Sequence, residues 1–315
     1  MPGLPPLIVV AGATATGKTE LGIRLGEAFL ARGRPAVVIS ADSRQIYRGL
    51  DIGTAKVSAA DRARVPHAGL DLVDPDERFA LADFVVHARG VLREVAEENG
   101  VALLVGGTGL YLRAVARGLD LEALPDDPGV RARLEAEFAT EGLEPLAARL
   151  RSVAPTLAAE VHLANPRRVI RALEIAELRG DGPRPRPRGY AGRSTWIGLT
   201  VDRPDYDRRI AARARAQFAA GLVEEARALR ERFDPALPAF SAIGYREAWG
   251  VLDGTLTIDQ AVELDARRNV AFARRQRTWF RAEPVIDWLD ATTEDPFERA
   301  LALAAPLLEE LRPRC

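Results

Sequence analysis

Leu7-Ile-Val-Val-Ala11 followed by Gly12-Ala-Thr-Ala-Thr-Gly17-Lys18-Thr19 is the stretch on which the reading of this chain turns. Five apolar residues run into a glycine-rich turn, and an amphipathic pattern then extends from Lys18 to Ala31: strand, loop, helix. The last eight residues fit G-x-x-x-x-G-K-[ST] in the strand-to-helix setting that pattern requires, and a chance match anywhere in the chain has odds of about one in a thousand. Glycines let successive backbone N–H groups point inward as a nest, the helix N-terminus adds its positive pole, and Lys18 supplies a full charge. Thr19 can offer its hydroxyl to a phosphate-bound Mg2+. Gly12, Ala13, Thr14, Ala15, Thr16, Gly17, Lys18 and Thr19 thus form a candidate phosphate cradle. The motif does not say whose phosphate it holds.

Working outward, Ala36–Ser40 (AVVIS) and Val101–Val105 (VALLV) are two more buried-type strands, the second preceded by a helical pattern from Leu81 to Glu98. Continuous apolar strands alternating with helices predict a parallel sheet covered on both faces. The next strand-like run is Thr195–Val201 (TWIGLTV). Between them, residues 126–179 read as helical throughout, with Pro128, Pro155 and Pro166 at helix starts. The fold expected is therefore α/β, a P-loop NTPase-like core with a parallel sheet (1–122 and 196–315) plus an all-helical insertion (123–195). Gly182–Arg193 (GPRPRPRGYAGR) reads as an extended, mobile connector back to the core. Helical patterns follow over 205–232, 242–252 and 258–281.

The 315 residues are 47% hydrophobic and 28% charged, which suits one large domain or two modest ones and excludes wholesale disorder. The one cysteine, Cys315, excludes a disulfide framework and a cysteine zinc site. No apolar run approaches the ~18 residues of a membrane span, and no basic segment precedes the short N-terminal apolar run. A cytoplasmic location is the expectation. With a net charge of −1, no global field recruits a polyanion. Lys18 and Lys56 are the only lysines among 44 basic residues, so the abundance of arginine says little, and only the placement of arginines informs.

Three placements stand out. Ser40-Ala-Asp42-Ser43-Arg44-Gln45 begins at the carboxyl end of the second strand, where ligands bind in open α/β sheets. Asp42 reads equally as a metal ligand, general base or ribose acceptor, or as the N-cap of a following helix. Gly106-Gly-Thr108-Gly109 after the third strand is a second N–H-rich turn. From Arg267 to Arg281 there are six arginines and no acid, with Trp279 and Phe280 interleaved, a pattern suited to backbone tracking and base stacking on RNA.

Taken in order, GATATGKT, SADSRQIYRGLDIGTAK, VPHAGLDLVDP, GGTGLY, NPRRVIRALE, AIGYRE and ARRQRTWFR resemble the motifs of bacterial-type tRNA dimethylallyltransferases from about Ile8 to Trp288. That resemblance implies transfer of a dimethylallyl group from dimethylallyl diphosphate to N6 of the adenine next to the anticodon in tRNA. It implies that the cradle holds diphosphate, with Mg2+ as cofactor at Thr19, and that Asp42, Thr19 and Arg213 are catalytic. Arg209 lies one helical turn from Arg213 and is placed to reach the same phosphate. For tRNA, the resemblance points to Asp42, Ser43, Arg44, Gln45, Thr108, Arg131, Arg167, Arg168 and Arg171. It adds Ser241, Ala242, Ile243, Gly244, Tyr245 and Arg246, then Arg274, Arg275, Gln276, Arg277, Thr278, Trp279, Phe280 and Arg281. The partners implied are the tRNA anticodon stem-loop and dimethylallyl diphosphate, with a monomeric protein and no membrane. Several departures fall on the RNA side, among them Asn269-Val270-Ala271-Phe272 in place of a Thr-Arg-x-Tyr run. Ala13 and Thr16 replace the loop's usual proline and serine. Two other readings share the loop: a P-loop small-molecule kinase, for which ATP is the ligand, and a non-catalytic, nucleotide-regulated RNA-binding protein.

Overall fold

The computed structural model describes residues 3–121 and 124–307; the expected boundary at 122/123 and Cys315 lie outside the described residues. Six strands pair in parallel in the order β3-β2-β4-β1-β5-β6: β1 (Leu7–Gly12), β2 (Ala36–Ser40), β3 (His67–Ala68), β4 (Val101–Gly106), β5 (Ser194–Thr200) and β6 (Asp287–Asp290). The four long ones are those expected, within a residue at either end. The two edge strands, HA and DWLD, are short and lack an apolar run, so periodicity does not reveal them.

Both faces of the sheet are buried, and this is why its strands are continuously apolar. Ile8, Val10, Leu103, Val105 and Ile197 pack with Leu21, Leu25 and Phe29 of α1 (Lys18–Leu30) and with Ala300 and Ala304 of α13 (Phe297–Ala304). The alternate residues Leu7, Val9 and Leu104 are equally buried. On these strands pack α3 (Leu81–Glu97), α4 (Gly109–Ala116) and α12 (Ile258–Arg281). The expected helix at 205–232 is two, α9 (Arg203–Ala219) and α10 (Leu222–Arg230), because Gly221 between them is left-handed at φ 101. Likewise α11 (Tyr245–Leu252) begins only after Gly244 at φ 111.

Gly118–Gly189 forms a separate compact unit, so its bounds lie about five residues before the expected 123–195 at each end. It contains α5 (Pro128–Glu141), α6 (Leu143–Val153), α7 (Pro155–Glu160) and α8 (Pro166–Arg179), and Pro128, Pro155 and Pro166 each open a helix. Leu134, Leu146, Leu150, Leu157, Val169 and Leu173 make its core. One carboxylate shares that core. Glu174 is fully buried and accepts from the Asp127 N–H (2.9 Å), from Arg131 in a bidentate pair (3.0 Å each) and from Arg171 (2.9 Å). Arg171 also donates to the carbonyls of Leu124 and Pro125. Beyond α8, residues 182–193 form neither helix nor strand, and the Arg188 N–H is tied to the Gly118 carbonyl (2.9 Å).

Burial alone would raise the Glu174 carboxyl; the Asp127 N–H and the two guanidiniums outweigh it and hold the group below the ordinary glutamate range. Removing an acid buried against two cations leaves those cations uncompensated, at a cost of about 3 kcal/mol or more. Glu174→Ala should therefore lower the unfolding free energy by that amount, read by urea titration. Because its folded pKa is depressed, this contribution is present at neutral pH and is lost as pH falls through the folded value.

Candidate active site

The loop between β1 and α1 is held in a conformation alanine does not favour. Ala15 sits at φ 60 and Gly17, the N-cap of α1, at φ 91. At Gly12 a Cβ would lie 2.9 Å from the Leu199 carbonyl, so β5 leaves no room for a side chain there. Inside the loop the Ala13 carbonyl accepts from Thr16 Oγ1 (2.9 Å) and from Lys18 Nζ (2.5 Å). Burial and the neighbouring Arg213 charge bring the Lys18 ammonium down from 10.5 to about 7, against the opposing pull of Asp42.

Arg213 reaches in from α9. Its guanidinium donates to Thr14 Oγ1 (2.7 Å) and to the Thr54 carbonyl (3.4 Å), while its buried Nε has no partner among the described residues. Burial lowers its pKa, with Asp42 and Asp265 opposing. Arg209 is directed elsewhere: it donates to the Ala291 carbonyl (2.6 Å) and lies 3.8 Å from Asp205, so the two arginines do not share one target.

Asp42 lies at the carboxyl end of β2. Its Oδ1 accepts from the Arg44 N–H (2.8 Å), an Asx turn, and its Oδ2 accepts no hydrogen bond among the described residues. No helix follows, so the N-cap reading is corrected: the chain turns instead. The turns after β2 and β4 are laced together. Thr108 Oγ1 accepts from the Ser43 N–H (3.0 Å), and the Thr108 N–H donates to the Ala41 carbonyl (3.1 Å). A Cβ on Gly106 would stand 2.2 Å from that carbonyl. The structure thus gathers Lys18, Arg213 and Asp42, whose charges act on one another, at the carboxyl edge. Thr19 is exposed at the start of α1, and no group of three His, Cys, Asp or Glu among the described residues could hold a metal.

The residues expected at RNA divide sharply. Arg274, Arg275, Arg277, Thr278 and Arg281 of α12 are exposed, and none of these arginines has an acidic partner among the described residues. Arg167, Arg168, Ser241 and Arg246 are exposed too. Five expectations are corrected by burial: Phe280 and Ala242 are core, Gly244 is covered, Gln276 is bonded inside the protein, and the Tyr245 ring is enclosed with its hydroxyl donating to Glu225 (2.8 Å). Half-buried Ile243 lies between them. Trp279 is engaged rather than free, lying against Gly109 with the Arg113 guanidinium 4.4 Å from its ring centre. Arg131 and Arg171 are turned onto Glu174. Arg44 donates to the Pro238 carbonyl (3.0 Å), and Gln45 bridges Ser40 Oγ and the Thr54 carbonyl.

Sequence reading overlooked the frame around the cations. Glu225 accepts from the N–H groups of Asp51, Ile52 and Gly53 (3.1, 2.7 and 3.1 Å), while Gln217 donates to the carbonyls of Ile52 and Gly53. That loop presents the Thr54 carbonyl to Arg213. Lys56 is enclosed by Asp51 and Asp71 (2.6 Å each), a structural tie. The buried stripe Ala273, Gln276, Phe280 has helical spacing, a signal that would have turned Gln276 and Phe280 inward.

A glycine-bearing loop between strand and helix, closed by a half-buried lysine and arginine at the edge of a parallel sheet, defines a P-loop protein. The family model for IPP transferase matches residues 45–283, and the chain belongs to that family. It is 43% identical to a tRNA dimethylallyltransferase of Kineococcus radiotolerans over 94% of each chain. Among solved structures, the tRNA isopentenylpyrophosphate transferase of Bacillus halodurans is 37% identical over 97% of both chains, with a TM-score of 0.69. A eukaryotic dimethylallyltransferase described as acting on tRNA shares the fold at a TM-score of 0.79, with 21% identity over 98% of this chain and 80% of its own. These relatives favour the transferase reading over the kinase.

At pH 8 Lys18 is mostly neutral, since its folded value is about 7. An anion beside it favours the ammonium, so binding takes up a proton. Calorimetry of an unreactive allylic diphosphate analogue in buffers of different ionisation enthalpy should show uptake approaching one proton at pH 8. The affinity should weaken from pH 7 to 9, and Lys18→Met should abolish the uptake.

Proposed function

We propose that this protein transfers the dimethylallyl group of dimethylallyl diphosphate to N6 of the adenine next to the anticodon in tRNA and releases diphosphate. The observation that carries the reading is the meeting of two half-buried cations with one carboxylate whose Oδ2 accepts no hydrogen bond among the described residues. Lys18, Arg213 and the loop N–H groups receive the diphosphate. As the allylic C1–O bond breaks, its electron pair goes to the diphosphate oxygen, where those cations stabilise the growing charge. N6 attacks C1, and Asp42 Oδ2 takes the proton that N6 sheds. An exocyclic adenine amine is a weak nucleophile, because its lone pair is delocalised into the ring. Stabilising the leaving group must therefore supply most of the barrier reduction.

Mg2+ fits this site only as a partner of the diphosphate. The exposed Thr19 hydroxyl would be its protein ligand, and the ion would add positive charge on the leaving group. Arg274, Arg275, Arg277 and Arg281 offer the RNA backbone a cationic surface on a chain of net charge −1. Reading a stacked base requires extruding it toward Asp42. We place this activity in the cytoplasm and in a monomer. One chain holds every group named, and no described helix is long and apolar enough to cross a membrane.

The test is incorporation of radiolabelled dimethylallyl group into unmodified tRNA. Asp42→Asn keeps the Oδ1 bond to the Arg44 N–H yet removes the base, so kcat should fall by about 10²–10⁴ with tRNA affinity unchanged. Undiminished transfer by Asp42→Asn would reduce Asp42 to a turn-former. No transfer into any tRNA, with ATP turnover instead, would restore the kinase.

A further inference from the structure

Gln276 is buried, yet it sits in the most cationic stretch of the chain, between Arg275 and Arg277, both exposed. Its amide makes two bonds and neither faces outward. Oε1 accepts from the Thr14 N–H (2.9 Å), and Nε2 donates to the Gly107 carbonyl (3.0 Å). One side chain of α12 therefore bridges the loop after β1 and the loop after β4. A Cβ on Gly107 would lie 2.3 Å from Gln276 Nε2, so the glycine leaves the space the amide fills.

The bond to Thr14 fixes more than an atom. In a planar trans peptide the N–H of one residue and the carbonyl of the residue before it point in opposite directions. With the Thr14 N–H captured by Gln276, the Ala13 carbonyl must point the other way, into the loop. There it accepts from Thr16 Oγ1 and Lys18 Nζ. The same residue's hydroxyl accepts from Arg213. The orientation of a single peptide thus determines where both cations of the site are held. The Thr14 N–H has no other partner among the described residues.

We propose that Gln276 is a positioning residue for the diphosphate site: it locks the Ala13–Thr14 peptide and so holds Lys18 and Arg213 in register for the leaving group. It acts on the donor side of the reaction, whereas its arginine neighbours on α12 face the RNA. This rests on the transferase reading for its ligand, though its geometry does not.

Binding separates the two. In Gln276→Leu the amide is lost, and affinity for a dimethylallyl diphosphate analogue should fall by roughly tenfold or more, the factor that corresponds to about one lost buried hydrogen bond. KM for the diphosphate should rise and kcat fall, while tRNA Kd stays within about twofold of wild type. Gln276→Glu supplies a conservative rescue. Protonated, a glutamic acid both accepts and donates as the amide does; ionised, it cannot donate and repels the anion. The ratio of Gln276→Glu to wild-type activity should rise as pH falls. Gly107→Ala should mimic Gln276→Leu, and the double variant should be no worse than either. Variants that stay folded by circular dichroism but lose tRNA affinity with an unchanged diphosphate KM would overturn the proposal and return Gln276 to the RNA. Additive effects of Gly107→Ala and Gln276→Leu would overturn it as well. If wild type binds the diphosphate but transfers nothing to tRNA, the transferase reading fails, while the binding comparison still decides the role of Gln276.

Discussion

Lys18 and Arg213 share one partly enclosed site, where burial works against the charge of both and the Arg213 guanidinium further disfavours the Lys18 ammonium. Two cations withdrawn from water at close range are unfavourable unless dipoles or an anion compensate them. The surrounding architecture supplies dipoles: the Ala13 carbonyl for Lys18, the Thr14 hydroxyl and the Thr54 carbonyl for Arg213. Each compensating group belongs to a loop rather than to a strand or helix. The loops must consequently be fixed, and the protein fixes them with buried and half-buried side chains. Glu225 and Gln217 grip residues 51–53, Thr108 grips the turn of Asp42, and Gln276 grips Thr14. The Arg213 Nε, which has no partner among the described residues, shows where the compensation is left incomplete. A diphosphate is the kind of group that completes it.

The same logic sorts the arginines. Arg113 and Arg117 pair with buried Glu283, Arg268 with buried Glu247, and Arg131 and Arg171 with buried Glu174. Such pairs do not add to a surface field, because each cation is matched at contact. Among the described residues, a row of exposed arginines without acidic partners runs along α12, at positions 274, 275, 277 and 281. A nearly neutral chain can therefore meet RNA along one helix without attracting it everywhere, and binding along that helix should weaken steeply with salt.

Most of the fold was legible because it is written in runs. LIVVA, AVVIS, VALLV and TWIGLTV are apolar on both faces and could only be central parallel strands. Pro128, Pro155 and Pro166 announced three helix starts. The edge strands were not legible, since two or four residues of mixed polarity carry no period. In the candidate site, the positions of the glycine-bearing loop and of Asp42 were legible because a loop of fixed spacing links strand to helix and the end of a parallel strand has a fixed place. Gln276, Glu225 and Gln217 were not, for the backbone groups they hold lie 164 or more residues away, in loops without regular structure. Their polarity invited a surface reading. For Gln276 and Phe280 the correction was nevertheless in the sequence, because with Ala273 they form the inward stripe of a helix whose other faces carry arginine.

The division of labour on α12 follows from the difficulty of the reaction proposed. Attack by a delocalised amine gains little from a base until the allylic carbon is already electron-poor. The donor side must therefore be preorganised to within a few tenths of an ångström, whereas the RNA side needs only a field and a docking face. A helix suits both demands at once. Its buried stripe is positioned by the core, with Ala273 and Phe280 flanking Gln276, and that rigidity passes through one amide to the loop that holds the leaving group. Its exposed stripe, one residue away in either direction, carries long flexible cations that adapt to a phosphate backbone. Exchanging the two stripes would give a flexible cradle and a rigid docking face, which is the reverse of what transfer from an allylic diphosphate to a bulky polyanion requires.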